Sequence, residues 1–202
     1  MNEKFYLGTY TKRDSKGVYS VLLNKERERL ESLTLEATIE NPTYLSYSKT
    51  DQLLFAVGKG KELCGISANN AQVSPLIPLA SYDDQQAVPC YIRYNEKTGD
   101  VLTANYHGGF VELYHYDKEA NSFTFVDKKV HSGSSVHENQ AAPHVHYTDY
   151  TPNEKWIVVC DLGIDTVFTY KRTDEGLEEI AQYKTKAGSG PRHLAFHPTL
   201  PI

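Results

Sequence analysis

The chain is short of several things. It has 3 cysteines in 202 residues, Cys64, Cys90 and Cys160, an odd number at wide spacing. That pattern excludes a disulfide framework and a zinc knuckle, and it favours a reducing, cytoplasmic setting. No apolar run approaches the length of a membrane span. Met1-Asn2-Glu3-Lys4 leads into only a few apolar residues, too few for a signal peptide. Positive charge is not in excess. The net charge of −5 and a pI of about 5.9 speak against nucleic acid or an acidic membrane as partner. Helical periodicity is missing too.

What is present suits a soluble globular protein: 40% hydrophobic residues, 23% charged, and enough length for a core. The 15 tyrosines fit strands whose side chains are half buried.

A repeat organises the rest. Gly190-Pro191-Arg192-His193-Leu194-Ala195-Phe196-His197-Pro198 matches Asn41-Pro42-Thr43-Tyr44-Leu45-Ser46-Tyr47 and Val88-Pro89-Cys90-Tyr91-Ile92-Arg93-Tyr94. Val145-His146-Tyr147-Thr148-Asp149-Tyr150-Thr151-Pro152 is a further copy without the first proline. Aligned, the variable position holds Thr43, Cys90, His146 and Arg192, at intervals of 47, 56 and 46 residues. Such a period marks a repeat architecture.

Each opening is followed by an apolar run (Leu53–Val57, Val101–Ala104, Trp156–Cys160). Alternating segments come next, such as Phe110–Tyr116 and Thr166–Lys171, and a last segment such as Phe123–Val126 or Leu177–Ile180. Four short strands per unit predict an all-β chain of β-propeller blades. Three N-terminal strands fall within 4–38 (Lys4 to Tyr10, Gly17 to Leu23 and about Ser32 to Thr38), units at about 42–88, 89–142 and 143–190, and the opening strand of a next blade at 191–197. Together they make one partial propeller domain over 1–202. Strand 191–197 either closes a four-bladed ring with the first three strands or opens a blade of a larger ring. The second is expected, with self-association through the exposed edge.

Several motifs carry a family resemblance. They are Tyr6-Leu7-Gly8-Thr9-Tyr10-Thr11, Lys16-Gly17-Val18-Tyr19, Asn41-Pro42-Thr43-Tyr44-Leu45 and Ala104-Asn105-Tyr106-His107-Gly108-Gly109. Pro143-His144-Val145-His146, Asp161-Leu162-Gly163-Ile164-Asp165 and Gly190-Pro191-Arg192-His193-Leu194 complete the set. In this order and spacing the chain resembles the N-terminal four-sevenths or so of the seven-bladed lactonase propellers, which include bacterial 6-phosphogluconolactonases. The resemblance implies hydrolysis of a sugar-acid lactone, with no cofactor. The residues matching His146 and Arg192 are the family's proposed active-site groups. It also implies an acidic site residue just beyond Ile202. The small polar residues of 131–142 mark a loop that leads into the strand of His146, where a loop is expected to cover the site. The resemblance implies a basic residue and a glutamine in it, where this chain has Asn139 and Gln140.

The chemistry of these side chains agrees. Lactone opening needs a water made nucleophilic and a stabiliser for the carbonyl oxygen's growing charge. A histidine near neutrality can take the water's proton, and an arginine can hold the oxyanion or a phosphate or carboxylate. His144 lies two residues before His146, on the same face if the strand is extended there. Thr43, Cys90, His144 and Gln140 are the expected substrate-binding residues. Other readings stand beside these. His146 is equally a strand residue bonded to a neighbouring blade, and Cys90 a small channel or core residue. Asn105 and Asp161 either cap turns or border the channel. His144 and His146 with Asp161 are too thin a set for a metal site, and none is expected. Rival functions are a muconate-type lactone cycloisomerase and a non-catalytic propeller that binds a ligand or protein in its channel.

Overall fold

A computed structural model of the protein describes residues 2–60 and 62–199. Its strands form four antiparallel meanders. The first sheet is β1 (Glu3–Leu7), β2 (Gly17–Asn24) and β3 (Arg29–Thr38). The second is β4 (Leu45–Ser48), β5 (Leu53–Lys59), β6 (Cys64–Asn70) and β7 (Ile77–Gln85). The third is β8 (Tyr91–Tyr94), β9 (Asp100–Asn105), β10 (Phe110–Asp117) and β11 (Ser122–Val130). The fourth is β12 (Val145–Tyr150), β13 (Ile157–Asp161), β14 (Thr166–Thr173) and β15 (Gly176–Lys184). A single 3-10 turn, Glu138–Gln140, is the only helical element among the described residues. No helix among them is long and apolar enough to cross a membrane.

The apolar runs become second strands with both faces covered. Leu53 to Gly58 of β5 and all of β9 are buried, as expected where sheets lie on both sides. The outermost strands are the reverse. From Glu178 to Lys184, β15 is exposed and partly charged, which blunts a free sheet edge.

Three clusters stack the sheets face to face in chain order. Val18 packs with Leu54 between the first and second sheets. Phe55, Val57 and Ile66 meet Ile92, Tyr94, Tyr114 and Tyr116 between the second and third, with the Phe55 and Tyr94 rings stacked at 4.2 Å. Leu102, Val111 and Leu113 meet Val145, Tyr147, Ile157, Val159 and Phe168 between the third and fourth. Each large side chain so buried contributes about 1.5–3 kcal/mol. A polar knot adds to the first pair. The buried Glu36 carboxylate accepts from Lys4 Nζ at 2.7 Å, Ser20 Oγ at 2.6 Å and Ser74 Oγ at 2.9 Å. Burial pushes its pKa up, but those donors outweigh burial and hold it below the ordinary value.

Two expectations differ from the structure. The first strand, expected to reach Tyr10, stops at Leu7, and residues 8–16 form a loop. Segment 191–197 forms no strand among the described residues. It lies along the fourth sheet instead, with Leu194 on the cluster that holds Val145 and Tyr147. Phe196 shares a hollow with Arg93 and Asp149. A strand exists through its hydrogen-bonded partner, and β1, which four-bladed closure would require as that partner, pairs only with β2.

Candidate active site

The four residues of the repeat register come from four different places in the chain and meet at one cavity. Thr43 lies two residues before β4, and Cys90 immediately before β8. His146 is the second residue of β12, and Arg192 follows the turn at Gly190. All four line a hollow of about 390 Å³, together with Tyr10, Lys12, Asn41, Tyr106 and His107. Among the described residues its lining holds a lysine, an arginine and two histidines but no carboxylate, although the whole chain carries −5. Two larger hollows, about 650 and 800 Å³, lie against β3, β6 and β7 and contain none of the register residues.

His146 reaches this cavity through a β-bulge. Val145 pairs with Asp161 and Tyr147 with Cys160, so His146 is the extra residue between them. A bulge turns a side chain out of the two-residue alternation. The His146 Nε2 accepts a hydrogen bond from Arg192 Nε at 3.2 Å. The ring proton therefore sits on Nδ1, a buried atom with no hydrogen-bond partner among the described residues. The His193 ring meets His146 edge-on at 4.9 Å, and Tyr106 does so at 6.2 Å. Burial first, then the charges of Arg192 and His193, push the His146 pKa down to about 4. At neutral pH the imidazole is uncharged.

Arg192 itself is exposed, and its approach is fixed by a carboxylate. Gly188 and Gly190 occupy the left-handed region, at φ 81° and 55°, where glycine costs least. Their N–H groups donate to the two carboxylate oxygens of Asp165, each at 2.7 Å. Gln140 Nε2 donates to the same carboxylate at 2.8 Å, and Ser135 Oγ donates as well. One buried side chain thus ties together the loop that leads into His146 and the turn that leads into Arg192. Burial raises the Asp165 pKa, yet these four donors bring it down to about 2. Its stabilisation is therefore fully present above the ordinary carboxyl value of 3.8 and is lost as pH falls through about 2. Asp165→Ala is expected to destabilise the fold by on the order of 2 kcal/mol, because several donors lose their acceptor at once. A thermal melt that matches the parent would refute this account.

The remaining expected residues are placed differently. His144 does not share a face with His146, because it precedes β12 and the bulge breaks the alternation. Its ring stacks on Tyr106, centroids 4.2 Å apart and 6° from parallel. Its Nδ1–H donates to the Tyr106 carbonyl at 2.9 Å. It thus backs a wall of the cavity without lining it. Gln140 lies outside the cavity: its amide donates to the Leu162 carbonyl at 2.6 Å and to Asp165. Residues 131–142, expected as a loop over the site, contribute nothing to the lining. Cys90 does line it, but its thiol faces the carbonyls of Ala104, Val145 and His146 at 3.4, 3.5 and 3.6 Å. Burial pushes that thiol up to about 11, so it is no nucleophile at neutral pH.

Asn105 and Asp161 both cap turns. Asn105 Oδ1 accepts from Gly108 N at 2.8 Å. Asp161 Oδ1 accepts from Gly163 N at 3.0 Å and His144 N at 2.7 Å. The other Asp161 oxygen meets His131 Nδ1 at 2.7 Å, and His131 Nε2 lies 3.0 Å from the Tyr170 hydroxyl. Sequence reasoning placed His131 in a polar loop and missed this buried chain. It also passed over Tyr10, Lys12, Asn41, Tyr106 and His107. The signal was available in part, since Tyr106 and His107 belong to the Ala104–Gly109 motif and Tyr10 to Tyr6–Thr11.

One three-stranded and three four-stranded meanders stacked in chain order define a propeller-type protein. The model of the family described as lactonase, 7-bladed beta-propeller matches residues 4–202, and the chain belongs to that family. It is 36% identical over 197 residues to the 6-phosphogluconolactonase of Bacillus subtilis (strain 168), covering 96% of this chain and 56% of that protein. A crystal structure of a Lactobacillus plantarum protein superposes with a TM-score of 0.90 at 35% identity, over 98% of this chain and 57% of that one. The periplasmic gluconolactonase PpgL of Pseudomonas aeruginosa shares the fold, with a TM-score of 0.88 at 24% identity, over 98% of this chain and 59% of that one. The chain therefore spans a little over half the length of the relatives it matches.

Proposed function

We propose that the protein hydrolyses a sugar-acid lactone, 6-phosphogluconolactone, to the open hydroxy acid. The observation that carries this reading is the His146–Arg192 contact in a cavity that, among the described residues, is lined by cationic and neutral groups. The resting imidazole is a poor base, because burial and then the charges of Arg192 and His193 lower its pKa, and Arg192 also occupies its Nε2 lone pair. A lactone carbonyl oxygen that takes the Arg192 donors onto itself frees that lone pair. His146 Nε2 then takes a proton from water as the oxygen attacks the lactone carbonyl carbon. Arg192 offers N–H donors to the tetrahedral oxyanion. The bond from that carbon to the ring oxygen breaks, and the ring oxygen recovers the proton from His146. Membership of the family and the name of the Bacillus subtilis relative support the choice of substrate.

The test is hydrolysis of 6-phosphogluconolactone by the full protein, corrected for spontaneous opening, with a muconate-type lactone run in parallel. Turnover of the phosphorylated lactone above background supports the reading. Turnover of only the muconate lactone would replace it with cycloisomerisation. Ligand binding with no turnover of either would leave a binding propeller.

A further inference from the structure

We infer that Lys12 is the residue that selects a phosphorylated substrate, by holding a phosphate monoester at the end of the cavity away from Arg192. The inference rests on the lactonase reading above and extends it.

The stacking order puts the two cations on the first and the last of the four sheets. Lys12 sits on the loop between β1 and β2 of the first sheet, whereas Arg192 lies against the fourth. Both line the same cavity. With the lactone carbonyl at His146 and Arg192, the exocyclic CH2–O arm of the ring is free to reach toward Lys12. Phosphorylation of that arm puts a dianion where the second cation stands.

Lys12 belongs to a built loop. Thr9 N donates to the Pro42 carbonyl at 3.0 Å, and the Thr9 hydroxyl to the Gly17 carbonyl at 2.6 Å. Thr11 N donates to Asn41 Oδ1 at 3.1 Å, while Asn41 N donates back to Thr11 Oγ1 at 3.2 Å. A Cβ at Gly8 would run into the Pro42 carbonyl oxygen, so only glycine lets the two segments approach so closely. The loop is thereby locked to the segment that supplies Thr43. Among the described residues Lys12 pairs with no carboxylate, and its ammonium lies 5.0 Å from the Tyr10 ring centroid. Thr43 and Asn41 line the same cavity, and neither the Thr43 hydroxyl nor the Asn41 amide nitrogen is hydrogen-bonded to another side chain among the described residues. An ammonium with neutral donors beside it and no competing acid is a phosphate-holding set.

The experiment compares 6-phosphogluconate with gluconate by calorimetry, using the full protein and its Lys12→Met and Lys12→Arg forms. In parallel, kcat/KM is measured for the phosphorylated and unphosphorylated lactones. The parent is expected to prefer the phosphorylated ligand, and Lys12→Met to erase about tenfold or more of that preference. Lys12→Arg should restore most of it. A Lys12→Met protein that keeps the parental preference overturns the inference, as does a parent that does not distinguish the two acids. Parental preference for 6-phosphogluconate lost in Lys12→Met, but with no turnover of either lactone, would sink the lactonase reading and leave the phosphate site standing.

Discussion

His146→Ala is expected to lower lactone hydrolysis by on the order of a hundredfold or more, the usual loss on removing a general base. The pH dependence sharpens this. Because burial, Arg192 and His193 depress the His146 pKa to about 4, the neutral ring predominates well into the acid range. The acid limb of kcat/KM, which reports the free enzyme, should fall near that value and not near the ordinary 6.5. Activity is lost as pH drops through the limb and retained above it. His144→Ala should cost less, since His144 backs Tyr106 and does not line the cavity. The melting temperature is the control for folding. A folded His146→Ala protein with parental turnover would end the assignment.

Arg192→Ala should cost about a hundredfold or more in kcat/KM, through loss of the charge that meets the oxyanion. Arg192→Lys should recover only part of that, because an ammonium lacks the two-pronged geometry of guanidinium. The same substitution makes a second, independent prediction. With the positive charge beside it gone, the His146 pKa should rise toward its ordinary value, readable as an imidazole titration by NMR. An unchanged His146 titration in Arg192→Ala would show that the 3.2 Å contact does not persist in solution. Arg192 is exposed and lies beyond the strands, so neither change should lower the melting temperature.

The sheets were legible in the sequence because strands announce themselves locally. The run Leu53–Val57 and the alternation over Phe110–Tyr116 each give their length and facing from side-chain order alone. The convergence of Thr43, Cys90, His146 and Arg192 was legible for a different reason: a repeat places equivalent residues at equivalent positions. What failed was whatever depends on a break in regularity or on a distant partner. His144 was put on the face of His146 by simple alternation, and the bulge between Val145 and Tyr147 removed the premise. Gln140 was read as reaching substrate, but its amide is held by Asp165, 25 residues on. His131 sits among small polar residues that mark a loop, yet its partners Asp161 and Tyr170 lie 30 and 39 residues away. Lys12 carried no local signal, since an isolated lysine after a strand is ordinarily just solvated.

The entry of each register residue from its own segment bears on how the site can change over time. Each sheet shares its core chiefly with its immediate neighbours, so stability is built from local increments, as in other stacked repeats. Thr43 precedes β4 and Cys90 precedes β8, on different sheets. Substitutions at the two should therefore be nearly independent in their effect on folding, with additivity within about 0.5 kcal/mol. Their effects on ligand choice, by contrast, meet in one cavity. Such a scaffold lets selection explore combinations of recognition groups one sheet at a time, without a folding defect at each intermediate.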